Sequence, residues 1–227
     1  MKLLVTDYDN TFELHYNFTD NISILKKNIK ATNKFMKNNL VCIATGRHFD
    51  AIYKTLIENN IEFNYLCANN GAELYDSSYN LLYCLPIEEQ DLEILRKLEH
   101  YTFFRNPHNS KLISSVNLYF DNLKDFEQAK EYLKNNLMKS FVEYKYPKIK
   151  IINENCNKLD IIKIIQNLEK IDDKNIYTIG DDVNDIKMIE YYNGYSLISA
   201  NEEAKKVASK LYEELNQLTK EIDSKQV

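Results

Sequence analysis

The chain has 227 residues, enough for one domain carrying an insertion or for two small ones. Hydrophobic residues make up 44%, charged residues 28%, and the formal net charge is −5, a balance that argues against a nucleic-acid binder with a broad basic face but leaves room for a local basic pocket. No apolar run approaches the roughly 20 residues that span a bilayer, and the amino terminus lacks the apolar stretch of a secretory signal.

The expectation is therefore a cytoplasmic protein, monomeric or homodimeric, with neither a nucleic acid nor a membrane as partner. Cys42, Cys67, Cys84 and Cys156 show no C-x-x-C spacing. They read as free thiols in a reducing compartment rather than as a disulfide framework or a zinc site.

Leu3-Leu4-Val5 reads as a short buried strand that runs into Asp7-Tyr8-Asp9-Asn10-Thr11. Two carboxylates one residue apart thus lie at a strand's carboxyl end, where ligands bind in open α/β sheets. Strand alternation points Asp7 and Asp9 to the same side. A divalent cation relieves the repulsion between them, and Mg²⁺ prefers such hard oxygen ligands. An aspartate beside a metal is also able to attack phosphorus. A plain strand-to-loop corner uses the same residue types.

Thr19-Asp20-Asn21 predicts a helix start, with Ile22, Leu25, Ile29 and Phe35-Met36 at helical spacing. Leu40-Val41-Cys42-Ile43-Ala44 is a continuous apolar run typical of a parallel strand covered on both faces. It delivers Thr45-Gly46-Arg47, where a hydroxyl, a freed backbone N–H and a guanidinium suit phosphate oxygens; strand-to-helix turns also use Thr and Gly for no such reason. A helix over Asp50–Glu58, a strand over Tyr65–Ala68 and the turn Asn69-Asn70-Gly71-Ala72 follow. The β-α-β-α-β order predicts a doubly wound, Rossmann-like parallel sheet.

From about residue 73 the pattern changes. Leu74-Tyr75 and Leu81–Leu85 flank Asp76-Ser77-Ser78 like a hairpin. Helices are predicted over Glu88–His100 and Leu123–Leu137, and strands over Tyr101–Phe104, Ile113–Phe120, Phe141–Tyr144 and Ile149–Ile152. Residues 76–153 read as an inserted α+β domain, leaving 1–75 and 154–227 as the core. Within the insert, Arg105, His108, Asn109 and Lys111 form a polar loop that suits a sugar or a second anionic group; a solvated loop tip has the same composition.

Asn157-Lys158-Leu159-Asp160 opens another helix. Lys158 is an ordinary surface lysine unless a carboxylate nucleophile and a phosphate lie nearby, where its ammonium would neutralise charge. Ile176–Ile179 is a core strand, followed by Gly180-Asp181-Asp182-Val183-Asn184-Asp185. Three carboxylates in that run make an anionic pocket that calls for a cation, or an acidic loop that caps the next helix. Gly194–Ile198 reads as a last strand and the tail from Glu202 as one charged helix, its final residues from Asp223 frayed.

Taken in order, Asp-x-Asp-x-Thr, Thr-Gly-Arg, a lone Lys and Gly-Asp-Asp-x-x-Asp resemble the motifs of the haloacid dehalogenase superfamily of phosphohydrolases. An insert between the second motif and Lys158 is similar to the large α/β cap of the type-IIB, Cof-like subclass. The resemblance implies a Mg²⁺-dependent phosphatase of small phosphorylated metabolites, such as sugar phosphates, with a cap that closes over the site. It implies Asp7 as nucleophile and Asp9 as general acid/base. It implies Mg²⁺ held by the Asp7 carboxylate, the Asp9 main-chain carbonyl and Asp181, with Asp185 in support. Thr45, Gly46 and Lys158 would hold phosphate, with Arg47 and Asn184 reaching phosphate or substrate. Asn10 and Asp182 stand where relatives carry Gly, and Gly or Ser. A phosphomutase that re-uses the aspartyl-phosphate needs the same residues plus a water-excluding cap. A phospho-ligand sensor that has lost turnover is a further alternative, against which the intact Asp7, Asp9, Lys158 and Asp181 speak.

Overall fold

Period-two alternation along buried strands decides how this chain layers. In the computed structural model, which describes residues 1–14 and 21–224, the core strands are β1 (Leu3–Asp7), β2 (Leu40–Ala44), β3 (Tyr65–Ala68), β4 (Glu73–Asp76) and β5 (Leu81–Cys84). Later in the chain come β10 (Ile176–Gly180), β11 (Tyr195–Leu197) and β12 (Lys210–Tyr212). They form one eight-stranded sheet in the order β12-β11-β10-β1-β2-β3-β4-β5. From β12 to β3 the pairing is parallel; β4 and β5 are antiparallel. Leu4, Val41, Ile43 and Leu66 pack on one face with Phe35, Ile52, Leu56 and Leu218. Leu3, Val5, Cys42 and Cys67 pack on the other with Ile161, Ile165, Met188 and Ala204. Helices α1 (Asn21–Phe35), α2 (Phe49–Glu58) and α8 (Leu215–Ser224) therefore cover one face. Helices α5 (Lys158–Glu169), α6 (Ile186–Tyr191) and α7 (Glu202–Val207) cover the other.

Strand β1 lies between β10 and β2, so the chain winds outward from it in both directions. That reversal opens a crevice at the strands' carboxyl ends. Its contributors are Asp7, the residues after Ala44 and the residues after Gly180.

A second, four-stranded antiparallel sheet, β6 (Thr102–Arg105), β7 (Ser115–Tyr119), β8 (Ser140–Lys145) and β9 (Lys148–Asn153), has the order β6-β7-β9-β8. Helices α3 (Glu89–Arg96) and α4 (Leu123–Asn136) cover one of its faces. Leu92, Leu95, Val116, Leu118, Phe126, Leu133, Ile149 and Ile151 make a separate apolar core there. This α+β unit is inserted between β5 and α5 as a cap. Buried Glu73 ties it to the core: its carboxylate accepts from Asn69 Nδ2 at 2.6 Å, Tyr75 Oη at 2.5 Å and the cap's Ser114 Oγ at 2.5 Å.

Two expectations change. The hairpin 73–84 forms as expected, but Leu81–Cys84 extends the large sheet, so the insert begins beyond it and not at Asp76. The tail is not one helix. After Val207 the backbone turns extended at Ala208, and Lys210–Tyr212 pairs with β11 as an additional parallel strand before α8. Edge pairing to a buried strand outweighs the tail's helical periodicity. Thr19 and Asp20, read as a helix start, and residues 225–227 lie outside the described residues. All four cysteines are free thiols. No described helix is long and apolar enough to cross a membrane.

Candidate active site

The two acidic motifs meet because their strands are neighbours. β1 pairs with β10 in parallel register, so the ends that carry Asp7 and Asp181 lie side by side. Carboxylate oxygens of Asp7, Asp181 and Asp185 all come within 4.8 Å of one another, and all three residues are buried. Lys158, at the first position of α5, reaches into this group although it is only 1% exposed. Its Nζ donates to Asp7 Oδ1 at 2.5 Å and to Asp185 Oδ1 at 2.6 Å.

Three carboxylates against one ammonium leave a buried excess of negative charge. Burial pushes the Asp7 carboxyl well above its usual range; Lys158 opposes this, while Asp185 and Asp181 add to it. Burial and Asp185 push Asp181 up to about 6. Burial alone would lower Lys158, but Asp185 and Asp7 outweigh it and hold the ammonium above the usual lysine range. An excess of buried carboxylate oxygen is the donor chemistry of a hard divalent cation. The residues present fit such an ion.

Asp185 is itself held in place. Its Oδ2 accepts the backbone N–H of Asp181 at 3.1 Å and of Asp182 at 3.3 Å. Asp182 caps the turn at Val183–Asp185 in a capping box, its Oδ1 accepting from Val183 N at 2.8 Å. That gives Asp182 a local structural role. Asn10 takes φ 59°, and its N–H donates to the Glu13 carbonyl at 2.7 Å. Asn tolerates the left-handed region, so the turn after β1 keeps its shape. Thr11 Oγ1 donates to Asp181 Oδ1 at 3.3 Å and joins the two motifs.

Arg47, expected to reach phosphate or substrate, also has a partner within the chain. It grips Asp9 with both arms: Nε donates to Oδ2 at 3.1 Å and Nη2 to Oδ1 at 2.5 Å. Its guanidinium also lies 5.0 Å from the centre of the Tyr8 ring and 3.7 Å from Glu13. Asp9 and Asp7 thus sit in contrasting surroundings, one at the wall against Arg47 and one on the floor against Lys158. Thr45 is buried; its Oγ1 accepts the Arg47 N–H at 3.0 Å and retains a proton to donate. Asn184 Nδ2 donates to Asn70 Oδ1 at 2.9 Å, bridging the turn after β10 to the turn after β3.

A cleft of about 460 Å³ lies over these groups. Asp7, Asp9, Gly46, Arg47, Asp181 and Asn184 line it, while Thr45, Lys158 and Asp185 lie beneath the lining. The cap's contribution differs from the loop read in the sequence. Arg105 faces Asp50 at 3.9 Å, the His108 ring stacks on Phe49 at 5.3 Å, and neither they nor Lys111 line the cleft. The cap wall is instead built from Asn117, Glu143, Lys145, Lys148 and Lys150. Their one signal in the sequence is strand alternation, as in Lys148-Ile149-Lys150-Ile151. Alternation separates two faces without telling which one meets the core.

A family model described as haloacid dehalogenase-like hydrolase matches residues 4–104 and 96–218. An uncharacterized protein of Mycoplasma capricolum subsp. capricolum is 23% identical, over 86% of this chain and 89% of its own length. A solved structure of a putative HAD/COF-like hydrolase from Plasmodium vivax superposes with a TM-score of 0.76 at 18% identity, covering 100% of this chain and 96% of that one. An HAD subclass IIB sugar phosphatase superposes with a TM-score of 0.68 at 18% identity, covering 98% and 99%. With its two aspartate motifs joined at the β1–β10 crevice and a cap inserted before Lys158, the chain belongs to the haloacid dehalogenase-like hydrolases and has the fold of their Cof-like, subclass IIB members.

Proposed function

We propose that this protein is a Mg²⁺-dependent phosphatase that hydrolyses phosphomonoesters of small metabolites, such as sugar phosphates, through an aspartyl-phosphate on Asp7. The observation that carries the reading is the buried group of Asp7, Lys158, Asp185 and Asp181 at the floor of a cleft whose wall holds Asp9. Asp7, the Asp9 main-chain carbonyl and Asp181 would hold Mg²⁺, with Asp185 in support. The ion supplies charge neutralisation for the nucleophile and the phosphoryl oxygens.

The chain's own residues then divide the work. A carboxylate oxygen of Asp7 attacks phosphorus as the ester P–O bond breaks. Asp9 gives its proton to the departing oxygen and later takes one from the water that cleaves the aspartyl-phosphate. Lys158 holds the Asp7 carboxylate in one orientation and offsets its charge. Thr45 and the Gly46 backbone donate to phosphoryl oxygens. Because Arg47 occupies both oxygens of Asp9, one arm of the pair opens for Asp9 to carry a proton. The cap excludes bulk water and selects the leaving group.

The test is phosphate release with Mg²⁺ and a general phosphomonoester such as p-nitrophenyl phosphate. Asp7→Asn is expected to lower turnover by about 10³-fold or more while circular dichroism is unchanged. Full activity in that variant would remove Asp7 from the nucleophile's role and the mechanism with it.

A further inference from the structure

The cleft's two sides differ in charge. Asp7, Asp9, Asp181 and Asp182 belong to the core side together with Arg47, whereas Lys145, Lys148 and Lys150 belong to the cap side together with Glu143. Strand register explains how the cap wall is built. Asn117 of β7 lies opposite Lys150 of β9, which lies opposite Glu143 of β8. One step along, Lys148 lies opposite Lys145. The intervening residues Ile149, Ile151, Val116 and Leu118 face the cap's apolar core. The polar row therefore looks at the catalytic floor.

These groups are under-used. Among the described residues, none of the three ammonium groups is in an ion pair. Lys150 is only 8% exposed, and its Nζ donates to the Gly46 carbonyl alone. Asn117 is 1% exposed, and its Oδ1 is buried without a hydrogen-bond partner. Buried polar groups in such a state lack the partners that normally offset their desolvation. The aspartyl-phosphate chemistry needs none of them, since the transferred phosphoryl group is met from the core side.

We infer that this wall is a second anion subsite, so that the substrate is a small polyhydroxylated phosphomonoester bearing a carboxylate or second phosphate at the end remote from the transferred group. Lys145 and Lys148 receive that remote anion, with Lys150 on Gly46 between them and the floor. Asn117 and Glu143 take hydroxyl groups of the chain between, with Glu143 accepting only. A cleft of about 460 Å³ admits a molecule of this size. The inference rests on the phosphatase reading for the orientation of the substrate and adds what its far end must be.

The test uses three compounds of one chain length: sorbitol 6-phosphate, 6-phosphogluconate and hexitol 1,6-bisphosphate. Their far ends are a neutral hydroxymethyl, a carboxylate and a phosphate. We expect kcat/KM for at least one doubly anionic compound to exceed that for sorbitol 6-phosphate by about tenfold or more, as charge-assisted hydrogen bonds allow. The better of the two names the remote group. In Lys145→Met/Lys148→Met, both at positions outside the cap's apolar core, that ratio should fall towards one. Equal kcat/KM for all three compounds, or an unchanged ratio in the double variant, would overturn the subsite while leaving the phosphatase reading intact. Calorimetric binding of the same compounds to Mg²⁺-loaded Asp7→Asn protein reads the subsite without turnover. Tighter binding of a doubly anionic compound supports it even if hydrolysis fails; equal binding or none overturns it.

Discussion

Arg47 has two candidate partners, and its place in the sequence suggests only one of them. Beside Thr45 and Gly46 it suits a phosphate, and in the structure its fork grips Asp9. A role through Asp9 and a role on phosphate separate in kinetics. Arg47→Lys keeps the charge but loses the two-armed grip. If it acts through Asp9, kcat falls about tenfold with KM nearly unchanged; a raised KM at constant kcat would return Arg47 to the phosphate. Lys150 makes a second prediction, about stability. Burial holds its pKa down to about 8, with Lys148 adding to the shift and Glu143 and Glu73 opposing it, against 10.5 for a free lysine. Below pH 8 the folded protein has to bury an ammonium, which costs stability. Between about 8 and 10.5 the folded state sheds that proton before the unfolded state does, and the penalty disappears. Lys150→Met is therefore expected to raise stability at pH 7 by on the order of 2 kcal/mol, after the lost hydrogen bond to Gly46 is set against the gain. The gain should shrink as pH rises through that window in denaturant melts; a gain independent of pH would contradict it.

Elements decide whether the site exists, and the turn after β10 is the most constrained. A Cβ placed on Gly180 would lie 2.3 Å from Asp185 Cγ. Asp185 has nowhere to go, because its oxygens are fixed by Lys158 and by two backbone N–H groups. Gly180→Ala is expected to lose about 2–3 kcal/mol of stability and most of the activity together, measured by thermal melts and phosphate release. Retention of both would show that the turn is softer than its contacts suggest. The strands themselves were legible. Leu40–Ala44 and Tyr65–Ala68 are continuous apolar runs because a parallel strand is covered on both faces, and their observed bounds equal the expected ones. The tail was not legible as it stands. Its charged residues have helical spacing, but Ser209 donates to the Gly194 carbonyl at 2.8 Å and the chain between α7 and α8 becomes an edge strand. Local pattern carries no information about which distant backbone offers a free edge.

At the scale of the whole molecule, function comes from joining two units that the sequence presents far apart. The core motifs were readable because each sits at the end of its own strand, and the parallel order of those strands then brings them together. The cap side was not readable. Its residues, Asn117 onward, lie far along the chain from Thr45-Gly46-Arg47, and their orientation depends on how the four-stranded sheet is laid over the crevice. Glu73 and Ser114 join the units at one end of the crevice, and Lys150 meets Gly46 above the floor. The cap therefore rests directly on the Thr45-Gly46-Arg47 loop. The most direct measurement is phosphate release from a panel of phosphorylated sugars, sugar acids and bisphosphates, with Mg²⁺ and then with EDTA. Release that requires the metal and favours a few compounds is the expected result. Release that persists undiminished in EDTA, or no release from any compound with Mg²⁺ present, would contradict a metal-dependent aspartyl-phosphate phosphatase.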